Sequence, residues 1–258
     1  MSSAPQQTQR SRYVVPIVIV VVTVLLVALV WFLQSGKSND AAEAAPQSEA
    51  QVETQDEATD EPAQAPATEP DEADGQDFTQ LEGRDPDDPM AVGPIDAPVG
   101  MVVFTDYQCM YCGKWNHDTL PALMEYVDAG ELRIEWRDMN NFGMASEQAS
   151  KAAYAAALQG KFLEYNDALF PDGGKRSESE LSPEALIELA GELGLDVDQF
   201  TADMEAQSTE DYVLQVAAFA HSVGVTSTPT FTLGGTPIVG AQPTEVFVET
   251  FQKALAAS

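Results

Sequence analysis

The chain has 258 residues, of which 42 are Asp or Glu and 12 are Lys or Arg, for a formal net charge of −30. At roughly 150 residues per domain this length holds one or two folded modules, and a charge of that sign repels phosphate backbones, which excludes nucleic acid as a partner. The charge is uneven: residues 1–33 carry only Arg10 and Arg12, residues 34–89 carry seventeen acidic residues against Lys37 and Arg84, and residues 90–258 carry twenty-five against eight.

Residues 14–33 (VVPIVIVVVTVLLVALVWFL) contain no charge. A helix of that length spans about 30 Å, the thickness of a bilayer core, so it is expected to be one transmembrane helix. Tyr13 and Trp31 stand near its ends as interfacial aromatics. Arg10 and Arg12 precede it, so the positive-inside rule places residues 1–13 in the cytoplasm and everything after the span outside. A cleaved signal peptide is the rival, with Ala42-Glu43-Ala44 as a small-x-small site. The apolar run is longer than the 7 to 15 residues usual for a signal peptide, which favours an uncleaved anchor. Residues 34–85, rich in Ala, Glu, Asp, Gln, Pro and Thr, cannot bury enough apolar surface to offset ordering entropy and are expected to form a disordered acidic linker. A solvated spacer and a partner-binding acidic tail are both compatible with that composition.

The folded domain is expected over residues 86–258. Residues 99–105 (VGMVVFT) read as a strand, residues 109–127 as a helix kinked at Pro121, and residues 132–139 (LRIEWRDM) as a second strand alternating apolar and polar positions. Ala149, Ala152, Ala153, Ala156 and Ala157 share one helical face and predict close packing. Ser182-Pro183 opens a further helix, and residues 211–223 form the last helix of this block. Residues 230–233 and 236–239 flank Gly234-Gly235 as a hairpin, and residues 244–256 close the chain as a helix. The order is βαβ, a helical block over about 143–224, then ββα, an α/β fold.

Chemistry is concentrated in Cys109 and Cys112, the two cysteines of the chain, spaced CMYC where the first strand meets its helix. Outside the membrane such a pair cycles between dithiol and disulfide. Zinc is the chemical rival, but a zinc site needs about four ligands, and only His117 and His221 could join the two sulfurs. No metal is expected, and no cofactor beyond the Cys109-Cys112 disulfide. An inert structural disulfide is the other alternative, although so short a loop restrains little of the unfolded chain. At the first turn of a helix the Cys109 thiolate is favoured by unpaired N–H groups and the macrodipole. Cys109 is therefore expected to be the nucleophile and Cys112 the buried resolving thiol, with Met110 and Tyr111 tuning the redox poise. Asp106 reads as a turn former, and His117 and His221 as surface or packing residues.

FTDYQCMYCGKW, with the strand before it and VTSTPTFTLGG near the end, resembles the DsbA-like thiol-disulfide oxidoreductases, and more narrowly the membrane-anchored extracytoplasmic type found in actinobacteria. The resemblance covers about residues 82–258. It implies a thioredoxin fold with an inserted helical subdomain, and a cis Thr228-Pro229 peptide whose Thr228 backbone turns outward to bind an extended substrate. It also implies a dithiol oxidase that acts on unfolded exported proteins and is recharged by a membrane quinone-linked oxidase. A reductase or isomerase with the same site, and a peptide-binding or chaperone module without turnover, are the alternatives. Two positions depart from the family pattern. Val103 stands where many relatives carry a buried glutamate, so the proton of Cys112 must use water or another carboxylate, and Met110 stands where proline is common.

Overall fold

The computed structural model describes residues 78–258. The expected N-terminus 1–13, the transmembrane span 14–33 and the linker up to residue 77 lie outside the described residues. Among the described residues no helix is long and apolar enough to cross a membrane.

The apolar run read as the first strand is β2, Val99–Thr105, and all seven of its residues are buried. It occupies the middle of a five-stranded sheet of order β1-β3-β2-β4-β5, where β1 is Ala91–Val92, β3 is Leu132–Asp138, β4 is Thr230–Leu233 and β5 is Thr236–Val239. β2 runs parallel to β3 and antiparallel to β4. The crossover between the parallel pair carries α1, Met110–Asp118, and α2, Leu120–Asp128. One kinked helix was expected here; the chain instead breaks at Thr119, and Pro121 falls in the first turn of α2. Proline is tolerated there because that N–H would lack an intrahelical partner anyway. The hairpin between β4 and β5 turns through Gly234 and Gly235 at φ of 53° and 77°, a left-handed pair that glycine adopts without a Cβ clash.

Between β3 and β4 lies a helical block made of α3 Met144–Leu158, α4 Phe162–Leu169, α5 Pro183–Glu192, α6 Val197–Met204 and α7 Gln207–Ser222. Ser182 caps α5 by accepting from Ala185 N, as the serine-proline pair predicts. The alanine face of α3 is buried, which lets its neighbours approach closely. α8, Thr244–Ala257, packs Phe247 and Phe251 into the main core. The resulting architecture is a mixed α/β thioredoxin-like fold with helices inserted after β3.

The alternation in β3 predicted one apolar and one solvated face, yet both faces are buried. Ile134 and Trp136 join the main core with Met101 and Val103. On the opposite face, shared with Val102 and Phe104, the Glu135 carboxylate accepts from Gly83 N and Arg84 N at 2.8 Å, Arg133 Nε at 3.1 Å and Arg137 Nη2 at 2.7 Å. Arg133 also reaches the carbonyls of Asp85 and Gly93, and Arg137 pairs with Asp88 at 2.8 Å. Residues 78–85, placed in the linker by composition, are therefore part of the fold. They form an arm over the sheet, starting at a hydrogen bond from Phe78 N to Gly235 O.

Candidate active site

Cys109 is the N-cap residue of α1, with extended φ and ψ of −90° and 115°. The turn that delivers it is built by Asp106. Its backbone carbonyl accepts from Cys109 N, and its carboxylate accepts from Gln108 N at 2.8 Å, Ser146 Oγ at 2.6 Å and Asn141 N at 2.6 Å. Asp106 thus acts as a turn former and also ties the cysteine turn to the start of α3. Its three donors satisfy the buried carboxyl oxygens, as burial requires.

Both cysteines are free thiols, Cys112 at 1% exposure and Cys109 at 5%. The two sulfurs differ in acidity. A hydrogen bond from the Cys112 thiol, with others involving Thr228 and the backbone N–H groups of Cys112 and Tyr111, lowers the Cys109 pKa to about 6 against the opposing effect of burial. Burial and the neighbouring Cys109 push the Cys112 thiol up, while the Thr105 side chain favours its thiolate. This is the asymmetry expected of a helix N-terminus, where orphan N–H groups meet a negative charge. Met110 and Tyr111 point their side chains to solvent, at 64% and 47% exposure. The donor that this pair brings to the sulfur is the Tyr111 backbone N–H rather than a side chain.

The Thr228-Pro229 peptide is cis, and Cys109 Sγ donates to Thr228 O at 3.2 Å. The resemblance implied a Thr228 backbone free to pair with substrate; its carbonyl faces the reduced Cys109. His117 instead pairs with Asp118 at 3.0 Å on the exposed side of α1, and His221 lies in the last turn of α7.

Two further contacts were not read from the sequence because their partners are distant in the chain. A Cβ on Gly113 would collide with the carbonyl oxygens of Gly173 and Gly174, so glycine lets the helical block sit directly on α1 beside Cys112. Gln108 Nε2 donates to Arg176 O at 2.9 Å and closes the same seam. A thiolate-prone sulfur at a helix start, a protonated partner one turn inward and a backbone edge against the first sulfur form an arrangement suited to thiol-disulfide exchange.

Residues 85–255 match the sequence profile of the family described as Thioredoxin. The chain belongs to the thioredoxin family. In fold it is similar to the DsbA proteins. It is similar to the crystal structure of α-DsbA1 from Wolbachia pipientis, with a TM-score of 0.59 and 19% identity over 67% of this chain and 92% of that one. It is 27% identical to the probable disulfide bond formation protein D of Bacillus cereus over 150 residues, 56% of this chain and 69% of the other. It is 34% identical to the Na(+)/H(+) antiporter NhaA 3 of Salinispora tropica over 154 residues, 58% of this chain but 22% of the antiporter. The chain therefore spans about a fifth of the length of that relative.

The acidity of Cys109 gives this thioredoxin-family domain a pH-dependent stability. Its folded pKa of about 6 lies below the unfolded thiol value of about 8.5. The stabilisation is complete above about pH 8.5 and is lost as pH falls through about 6. The raised Cys112 acts with opposite sign above about pH 8.5, where only the unfolded thiol ionises. The melting temperature of the reduced protein, referred to the oxidised protein at each pH, is expected to climb from pH 5 to about 8 and then level or fall. A flat difference across that range would remove the Cys109 thiolate as its source.

Proposed function

We propose that this chain is an extracytoplasmic dithiol oxidase that introduces disulfides into unfolded exported proteins. It is held at the cell membrane by residues 14–33, with residues 1–13 in the cytoplasm, and the acidic linker gives the domain reach. Cys109 is the nucleophile and Cys112 the resolving thiol, the Tyr111 and Met110 backbone tunes the potential, and Thr228 and Pro229 form the edge that receives the substrate chain. A membrane quinone-linked oxidase restores the disulfide. The printed name of the Bacillus cereus relative, a probable disulfide bond formation protein, supports this direction. The antiporter name supports nothing about ion transport here, because the likeness covers 22% of that protein.

The observation that carries the reading is the difference between the two sulfurs. A stabilised Cys109 thiolate favours the reduced form, and a protein whose reduced form is favoured gives its disulfide away. Equilibrating the purified protein with glutathione buffers tests it. The expected potential lies well above that of thioredoxin, about −270 mV, toward the −120 mV of strong disulfide donors. A value near −270 mV would identify a reductase and overturn the oxidase direction.

A further inference from the structure

When the internal disulfide is attacked at Cys109, Cys112 leaves as a thiolate in a site where it is 1% exposed. Val103 of β2, in the same core cluster, has no proton to offer. The nearest strand does. The parallel register sets Asp138 of β3 opposite Thr105 of β2, and paired residues of parallel strands point to the same face, here the face of Val103 and the main core. Thr105 is the residue whose side chain hydrogen-bonds Cys112. Tyr107, fully buried, feels both Asp138 and Cys112, so the carboxyl and the thiol belong to one buried neighbourhood.

Asp138 is itself unusual. It is 5% exposed, and its Oδ1 has no hydrogen-bond partner among the described residues. A carboxylate left so would carry a large unmet desolvation penalty, and a carboxylic acid a much smaller one. Burial and the nearby Asp106 raise its pKa to about 7, against Ser150 and Arg137, which lower it. The hydrogen bonds around it support two protonation states. Ser150 Oγ donates to Asn140 Oδ1 at 2.7 Å, yet the same hydroxyl is placed to bond Asp138, and Asn140 Nδ2 is buried without a partner among the described residues. Ser150 has one hydroxyl hydrogen. Turned to Asn140, it suits the protonated acid. With the Asn140 amide flipped so that its nitrogen donates to Ser150, the hydroxyl is released to the ionised acid. A cavity of about 10 Å³ lined by Asp138, Ser150, Trp136, Met90, Tyr212, Val213 and Val216 adjoins the carboxyl, enough for about one water.

We propose that Asp138 is the proton reservoir of Cys112, acting through the Thr105 hydroxyl. This rests on the thiol-disulfide exchange reading of the site. A substrate thiolate attacks Cys109, the Cys109–Cys112 bond breaks, a bond from Cys109 to the substrate sulfur forms, and the electron pair leaves on Cys112. Thr105 gives its hydroxyl proton to that sulfur and takes one from the Asp138 carboxyl, leaving a Cys112 thiol and an Asp138 carboxylate. The reverse step returns the proton. The charged and titratable groups that interact electrostatically with Asp138 are Asp106, Tyr107, Tyr212 and, from the opposite face of β3, Arg137; Thr105 is the residue that the strand register sets beside it.

The test uses the full-length oxidised protein, its reduction by dithiothreitol followed by tryptophan fluorescence from pH 5 to 9 and corrected for the thiolate fraction of the reagent. The wild type should lose rate through an inflection near pH 7. Asp138→Asn should lack that inflection and run about 100-fold slower at pH 6, the lower end of what a positioned acid supplies. Asp138→Glu should restore the inflection, and Thr105→Val should remove it with Asp138 in place. An infrared titration of the carboxyl band lost in Asp138→Asn should shift between wild type and Cys112→Ser, since coupled sites affect one another reciprocally. An unchanged inflection in Asp138→Asn, or a carboxyl titration indifferent to Cys112, overturns the proposal. If the wild type fails to exchange with the dithiol at any pH, the oxidoreductase reading itself fails, which is a distinct result.

Discussion

Replacing Cys112 by serine should turn the protein into a trap: exported proteins should accumulate on it as mixed disulfides that collapse on adding reductant. The reason lies in the unequal sulfurs. Cys109 keeps its place at the start of α1 and its donors from Tyr111 N, residue 112 N and Thr228. A serine hydroxyl at position 112 can still donate to the thiolate, so most of its stabilisation survives. What is lost is the internal thiol that would complete or reverse the exchange. Cys109→Ser leaves only Cys112, at 1% exposure and with its ionisation suppressed, and should form few adducts or none. Oxidation of a reduced, unfolded substrate should be abolished in both variants. Cys112→Ala separates donor from resolver, because it lacks the hydroxyl; its Cys109 should titrate above the value of about 6 found with the Cys112 donor in place. Adducts in equal amount from both serine variants, or from neither while the wild type turns over, would remove Cys109 as the nucleophile.

What the sequence made legible was local. β2 is an uninterrupted apolar run, the Gly234-Gly235 hairpin needs only its own turn residues, and the serine-proline start of α5 is a capping signal within four positions. The cysteine pair carried its chemistry in its spacing. The parts that escaped depend on partners far along the chain. The two residues of β1 are too few to show a period, and they pair with Ile134 and Glu135 more than forty positions away. The arm at residues 78–85 (FTQLEGRD) is polar apart from Phe78 and Leu81 and follows the linker without a break. Its order comes from Glu135, whose polar position in an alternating strand read as solvent-facing. Asp138 was invisible for the same reason: a lone aspartate at the end of a strand acquires its meaning from Thr105 across the register.

This dependence on distant partners also separates the two faces of the sheet by function. The face of Val103, Thr105 and Asp138 looks toward the cysteines, while the face of Val102, Phe104 and Glu135 holds the arm. A change on the second face should alter how firmly the chain's entry into the fold is held without altering the chemistry of the first.

Glu135→Ala is the sharp form of that expectation and should be among the most destabilising single substitutions in the domain. Glu135 is 1% exposed and serves four donors: Gly83 N, Arg84 N, Arg133 Nε and Arg137 Nη2. Removing it leaves two buried guanidinium groups, at 5% and 9% exposure, short of an acceptor. Arg137 retains Asp88 and Arg133 retains two backbone carbonyls, so the loss is partial rather than a wholly unpaired charge. Breaking a buried pair costs about 3 to 5 kcal/mol, and for a domain of this size each kcal/mol lowers the melting temperature by roughly 2 to 4 °C. A fall of about 10 °C is therefore expected by calorimetry, together with faster proteolysis between residues 78 and 88 as the arm loses its two amide anchors. Because the cluster is buried, added salt should do little to mask the difference. The Cys109 titration and the glutathione equilibrium should stay at their wild-type values. A variant that melts within about 2 °C of wild type would mean that the arm is held by its other contacts, and one that shifts the potential would mean that the two faces of the sheet are coupled.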